Sequence, residues 1–196
     1  MKELKRILIS GEGGQGIQIL SKALVEAAYL SGKKISYVPN YGVEQRGGVS
    51  LGFIQISNQE IGFPKFHGAD ILVILAERAV PRVGEYITKD TLIIYDKTLV
   101  REGLLEHFPN QKIAISAYET AEKKMIAKVF NMIVLGFLAH MVGGVSPENL
   151  KTIVNETLST KYEKNPELQH FNERALEMGM SGISYTDSKK KEEVAL

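Results

Sequence analysis

Short runs of β-branched and other apolar residues recur along the chain: RILIS ending at Ser10, KISYV ending at Val38, VSLGFIQIS from Val49, ADILVILA from Ala69, TLIIYD from Thr91 and KIAIS from Lys112. Several are continuously apolar, the pattern of strands covered on both faces in a parallel sheet. Between them the period changes. In GIQILSKALVEAAYLSG, Ile17, Leu20, Leu24, Ala27 and Ala28 line one side at helical spacing, and Ser31-Gly32 supplies a stop. Strands alternating with helices predict a three-layer α/β fold with a doubly wound, mostly parallel sheet. One stretch departs from that rhythm: VSLGFIQISNQEIGFP follows KISYV after a loop too short for a helical crossover. Local antiparallel or edge pairing is expected there, making the sheet mixed.

From about Ala117 the pattern turns helical. AYETAEKKMIAKVFNMIVLGFLAHMV reads as one long amphipathic helix, and SPENLKTIVNETL as a second, with Ser146 as N-cap and Pro147 at the first helical position. A third runs from about Pro166 and stops at Gly179. These C-terminal helices complete a single domain over residues 1–179. Residues 180–196, polar and charged without periodicity, are expected to form a mobile tail.

Composition narrows the function. The 196 residues carry 24 Lys+Arg against 23 Asp+Glu, a formal net charge of +1, so no basic field exists to condense on nucleic acid or anionic lipid. There is no Cys, which excludes disulfides, a thiol nucleophile, Cys-ligated zinc and an iron-sulfur cluster on this chain's own thiolates. The longest apolar stretch, from Met132, is interrupted by His140 and falls short of the roughly 20 residues that span a bilayer. The N-terminus lacks a signal-peptide pattern, so a cytoplasmic protein is expected. The four histidines are scattered, and no metal site is expected.

Candidate chemistry gathers at two loops. GEGGQG follows the first strand and opens a helix; Gly11, Gly13 and Gly16 satisfy G-x-G-x-x-G, whose amides and helix dipole can cradle a phosphate. A dinucleotide site also needs an acidic residue closing the second strand, where this chain has Asn40. A Walker loop needs Lys and Ser/Thr where Ile17 and Gln18 stand, so neither phosphate charge nor Mg²⁺ is served. The second loop, PNYGVEQRGGVS from Pro39 to Ser50, emerges at the same sheet edge. Arg46 could hold a phosphate or carboxylate there, with Gly47-Gly48 permitting close approach, or Glu44 and Arg46 could form a surface pair and the glycines a turn. Glu77 and Asp96 close strands, as functional groups or as caps. Asn131 is an amide within an apolar helix, bonded to the glycine loop or facing a crevice.

GEGGQG, YGVEQRGG, NMIVLG from Asn131 and NERALEMG from Asn172 together resemble the gamma subunit of 2-oxoacid:ferredoxin (acceptor) oxidoreductases, over nearly the whole chain to about Gly179. The resemblance implies a non-catalytic component of a complex that uses thiamine diphosphate, Mg, iron-sulfur clusters and coenzyme A (CoA) on alpha, beta and ferredoxin-like delta subunits. YGVEQRGG looks like the 2-oxoglutarate and branched-chain members more than the pyruvate members, implying 2-oxoglutarate conversion to succinyl-CoA. On the same analogy Gly11, Gly13, Gly14, Gln15, Gly16, Tyr41, Glu44, Arg46, Gly47, Gly48 and Asn131 are the candidate cofactor-binding set, touching CoA or else the catalytic subunits. The resemblance leaves open homodimerisation of the isolated chain. The competing class is a free-standing nucleotide-binding module.

Overall fold

A computed structural model describes residues 4–41, 47–181, 183–189 and 193–195. The strands are β1 (Leu4–Glu12), β2 (Lys34–Tyr41), β3 (Val49–Ser57), β4 (Ile71–Ile74), β5 (Leu92–Asp96), β6 (Lys112–Ile115), β7 (Ser184–Asp187) and β8 (Glu193–Ala195). The helices are α1 (Ile17–Leu30), the short α2 (Val80–Val83), α3 (Ala117–Lys124), α4 (Phe130–Val142), α5 (Pro147–Lys164) and α6 (Glu167–Ser181). All eight strands form one sheet in the order β2-β3-β1-β4-β5-β6-β7-β8. β1, β4, β5 and β6 are mutually parallel at its centre. β3 runs antiparallel to both β1 and β2, and β7 antiparallel to β6 and β8, so six strands point one way and two the other. The sheet is mixed and doubly wound.

Burial explains why β3 separates β1 from β2. From Ser50 to Ser57 every β3 residue is buried, as a strand flanked and covered on both sides must be. β2 carries Pro39 and exposed polar positions, which suit an edge where one row of backbone groups needs no partner. Alternation along β1 divides the core: Ile7 and Ile9 face the layer of α1 and α3–α6, whereas Leu8 faces the opposite layer around α2, with Phe53, Leu72 and Tyr86. The helical boundaries of α1 follow the sequence signals, with Ser31 as C-cap and Gly32 at φ +81°. The Ser146 hydroxyl caps α5 by accepting the Asn149 N–H.

Three expectations are corrected. The long helix from Ala117 is broken: α3 ends at Lys124, Met125 takes φ −150° and ψ −116°, Ile126 is extended, and a 3-10 turn at Ala127–Val129 leads into α4. The physical reason is a mismatch of faces. α3 buries only Ala117 and Ala121, whereas α4 is apolar nearly all round, so one straight axis cannot serve both. The polar tail from residue 180 is also partly ordered. Ile183 is buried, Tyr185 meets Phe137 edge-on at 5.6 Å between ring centroids, and the buried Asp187 carboxylate accepts the Gln111 amide at 3.0 and 2.9 Å. β7 thereby extends the sheet beyond β6, although its SYTD sequence has no apolar alternation to announce it.

α6 also runs past Gly179 to Ser181, so this glycine is not a stop. A Cβ at Gly179 would lie 2.0 Å from the Ile133 carbonyl oxygen, and one at Gly136 2.2 Å from that of Leu176. The two glycines let the backbones of α4 and α6 touch.

Candidate functional site

β1 delivers the chain to Glu12, and Gly13-Gly14-Gln15-Gly16 turns it into α1. Gly14 and Gly16 sit at φ +105° and +79°, in the left-handed region that a side chain rarely enters. A Cβ at Gly16 would also lie 2.3 Å from Asn131 Nδ2, and one at Gly11 2.4 Å from Gln15 Oε1. β1 and β4 flank the switch point: the α1 connection leaves on one face and the chain after β4 on the other. In open α/β sheets ligands enter the crevice at such a point. Here Gln15 occupies it, its Oε1 accepting the Glu12 N–H at 2.8 Å and its Nε2 donating to the Leu75 carbonyl at 2.8 Å. The Gly13 N–H donates to the Gly48 carbonyl at 2.9 Å and the Gln15 N–H to that of Glu12 at 3.2 Å. Much of the donor set that glycine spacing offers to a phosphate is thus committed within the protein.

The two loops meet at one edge, as the common direction of β1 and β2 requires. Besides the Gly13–Gly48 bond, Arg78 Nη1 donates to the Gly47 carbonyl at 2.8 Å while its Nε lies 3.8 Å from a Glu12 carboxylate oxygen. Gln18 braces the hairpin from below. Its Oε1 accepts the Tyr37 hydroxyl, and its Nε2 donates to Ser50 Oγ at 2.8 Å and to the Leu51 carbonyl at 3.1 Å. Tyr41 closes β2 opposite Ser50. Glu44 and Arg46 lie outside the described residues. Gln18 and Arg78 were missed from sequence; the available signals were a polar residue in the first turn of a helix that follows the glycine loop and a cation four residues after a strand.

Asn131 occupies the first turn of α4, half-buried against Gly16. Gly14, Gly16 and Asn131 line a cavity of about 540 Å³ on the helical face of the loop, away from the Gly13–Gly48 contact. The candidate residues therefore divide between two places, Gly13, Gly47 and Gly48 at the hairpin edge and Gly14, Gly16 and Asn131 at the cavity. The strand-end acids resolve as structural groups. Glu77 is gripped by Arg101 through Nε at 2.6 Å and Nη2 at 3.0 Å, and this hydrogen-bonded guanidinium lowers its pKa. Burial raises the pKa of Asp96, against the opposing pull of the Tyr118 and Thr98 N–H groups that its carboxylate accepts at 2.8 and 2.9 Å. Asp96 thus caps α3 and a turn. Among the described residues no three His, Asp or Glu side chains gather as metal ligands, and no helix is long and apolar enough to cross a membrane.

A family profile described as pyruvate ferredoxin/flavodoxin oxidoreductase matches residues 6–182, which takes in both loops and the α4–α6 contact. The chain belongs to this family. It is 35% identical over 161 residues to 2-oxoglutarate synthase subunit KorC of Archaeoglobus fulgidus, covering 81% of each chain. It is 29% identical over 157 residues to ketoisovalerate oxidoreductase subunit VorA of Methanothermobacter thermautotrophicus, covering 80% of this chain but only 32% of VorA. Among solved structures, pyruvate oxidoreductase subunit PORC from Thermotoga maritima superposes with a TM-score of 0.72 at 23% identity, over 94% of this chain and 99% of that one. The 2-oxoglutarate:ferredoxin oxidoreductase from Magnetococcus marinus, with 2-oxoglutarate, coenzyme A and succinyl-CoA bound, superposes with a TM-score of 0.77 at 21% identity, over 91% of this chain and 31% of that one. These two superpositions establish a shared fold. Family membership makes the chain part of an oxidoreductase, and the same unit occurs both as a separate subunit and as about a third of a longer chain.

Proposed function

We propose that the chain is the gamma subunit of a 2-oxoacid:acceptor oxidoreductase of the 2-oxoglutarate type, which converts 2-oxoglutarate and CoA to succinyl-CoA, CO2 and reduced acceptor. The observation that carries this reading is the 35% identity with KorC over four-fifths of both chains. The chain supports assembly and leaves the chemistry to partners. With no Cys it has no thiolates to hold a cluster, and it carries no G-D-G motif of the kind that places Mg²⁺ on thiamine diphosphate. The partners are alpha, beta and ferredoxin-like delta subunits. VorA supports this arrangement, since the region matched here makes up only 32% of that chain and the remainder suits the part of a catalytic partner.

The glycine loop and the loop ending at Gly47-Gly48 form the face that meets the catalytic subunits, and Arg46 is assigned on chemistry to take a CoA phosphate. Filling of the β1–β4 crevice by Gln15 counts against the competing nucleotide-binding module. The likeness to VorA supports a second reading, a branched-chain 2-oxoacid substrate. Anaerobic affinity purification of the tagged chain from its native cells tests the proposal, with assay of 2-oxoglutarate, 2-oxoisovalerate and pyruvate oxidation. Copurifying cluster-bearing and thiamine-dependent subunits with 2-oxoglutarate activity are expected. A lone, inactive chain under conditions that preserve complexes would overturn the subunit reading. In the active complex, Arg46→Ala should raise the apparent KM for CoA; unchanged kinetics and assembly would reduce the hairpin to a docking surface.

A further inference from the structure

The cavity on the helical face of the glycine loop is distinct from the Gly13–Gly48 edge, and its lining has a consistent electrostatic character. Lys128 and Lys161 border it, and no Asp or Glu does. Among the described residues neither lysine forms a salt bridge. One helix also begins at its wall: α1 starts after Gly16, with no side-chain cap and no acidic residue in its first turn. An uncapped helix start carries roughly half a positive charge on its unpaired amides, so this end and two ammonium groups favour one kind of guest. The rest of the lining includes Phe130, Leu158 and Leu168. At about 540 Å³ the cavity falls within the size range of small-molecule sites.

We infer that this cavity between the glycine loop and helices α4–α6 binds an amphipathic organic anion, its carboxylate or phosphate head at Lys128 and Lys161 and its apolar body against Phe130, Leu158 and Leu168. Gly16, having no side chain, admits the Asn131 amide beside the start of α1, where its Nδ2 adds a donor for the head group. The inference concerns this chain's own cavity. It holds whether or not the chain assembles with catalytic subunits, so its failure would leave the subunit reading intact.

Calorimetric titration of the purified full chain tests it, with octanoate, octyl phosphate, octanol and inorganic phosphate as probes. Saturable one-to-one binding is expected for at least one amphipathic anion, and the tighter of the two identifies the head group. Octanol and inorganic phosphate should each bind at least about tenfold more weakly, since each supplies half of the recognition. In Lys128→Gln/Lys161→Gln the affinity for the anion should fall at least about tenfold. Both lysines are exposed, so the variant should retain the melting curve of the parent. Absence of saturable binding by both anions, equal binding of octanol, or unchanged affinity in a folded double variant would overturn the inference.

Discussion

The glycines of the α4–α6 contact and those of the loop after β1 are crowded by different kinds of neighbour. At Gly136 and Gly179 the atoms in the way of a Cβ are backbone carbonyls of the facing helix, at 2.2 and 2.0 Å. At Gly11 and Gly16 they are the ends of side chains, the Gln15 and Asn131 amides, at 2.4 and 2.3 Å. A backbone can yield only by moving a whole helix, whereas a side-chain amide can rotate away. The first pair is therefore a rigid structural seam, and the second a surface where local adjustment remains available.

This contrast ranks three substitutions. Gly136→Ala should have the largest effect, a net destabilisation of about 3 kcal/mol, because overpacking against a facing backbone outweighs the ~1 kcal/mol by which Ala is the better helix former. For a chain of this size that lowers the melting temperature by roughly 6–12 °C. A smaller shift by circular dichroism than for Gly16→Ala would break the comparison. Gly16→Ala should cost about 2 kcal/mol, mainly from the left-handed backbone at φ +79°. Adding Asn131→Ala should recover the part due to the amide clash and not the backbone part, giving a double-mutant coupling of about 0.5 kcal/mol or more. Gln15→Ala should cost least, about 1 kcal/mol, because water entering the crevice can satisfy the Glu12 N–H and Leu75 carbonyl that the side chain now bridges. Loss of amide-exchange protection at Glu12, with the rest of β1 unchanged, would sharpen the assignment of Gln15 as the crevice's filler.

Much of the fold was legible because its signals are local. The runs at β1, β4, β5 and β6 are apolar on both faces, α1 carries its period and its stop, and Ser146-Pro147 opens α5 as written. The break at Met125 was not legible, since apolar periodicity continues through it and only packing against the sheet separates an exposed α3 from a buried α4. Nor was β7, whose ordering comes from pairing with β6 and from Tyr185 finding Phe137. At the candidate site, the glycine spacing marked a strand-to-helix turn, and the common direction of β1 and β2 put the two loops at one edge, where Gly13 meets Gly48. It could not tell that Gln15 folds back into the crevice, because that depends on the Leu75 carbonyl, sixty residues away.

By itself, then, the sequence determined the strand and helix types, the absence of thiol and cluster chemistry, and the motifs that mark the family, all of which follow from residue type and short-range spacing. Tertiary structure alone decided that β3 lies between β1 and β2, that Gly136 and Gly179 meet, and that the glycine loop has one face bonded to the hairpin and another open to a cationic, apolar cavity. Those outcomes depend on which backbone and side-chain groups find partners distant along the chain, and a local pattern carries no record of such partners.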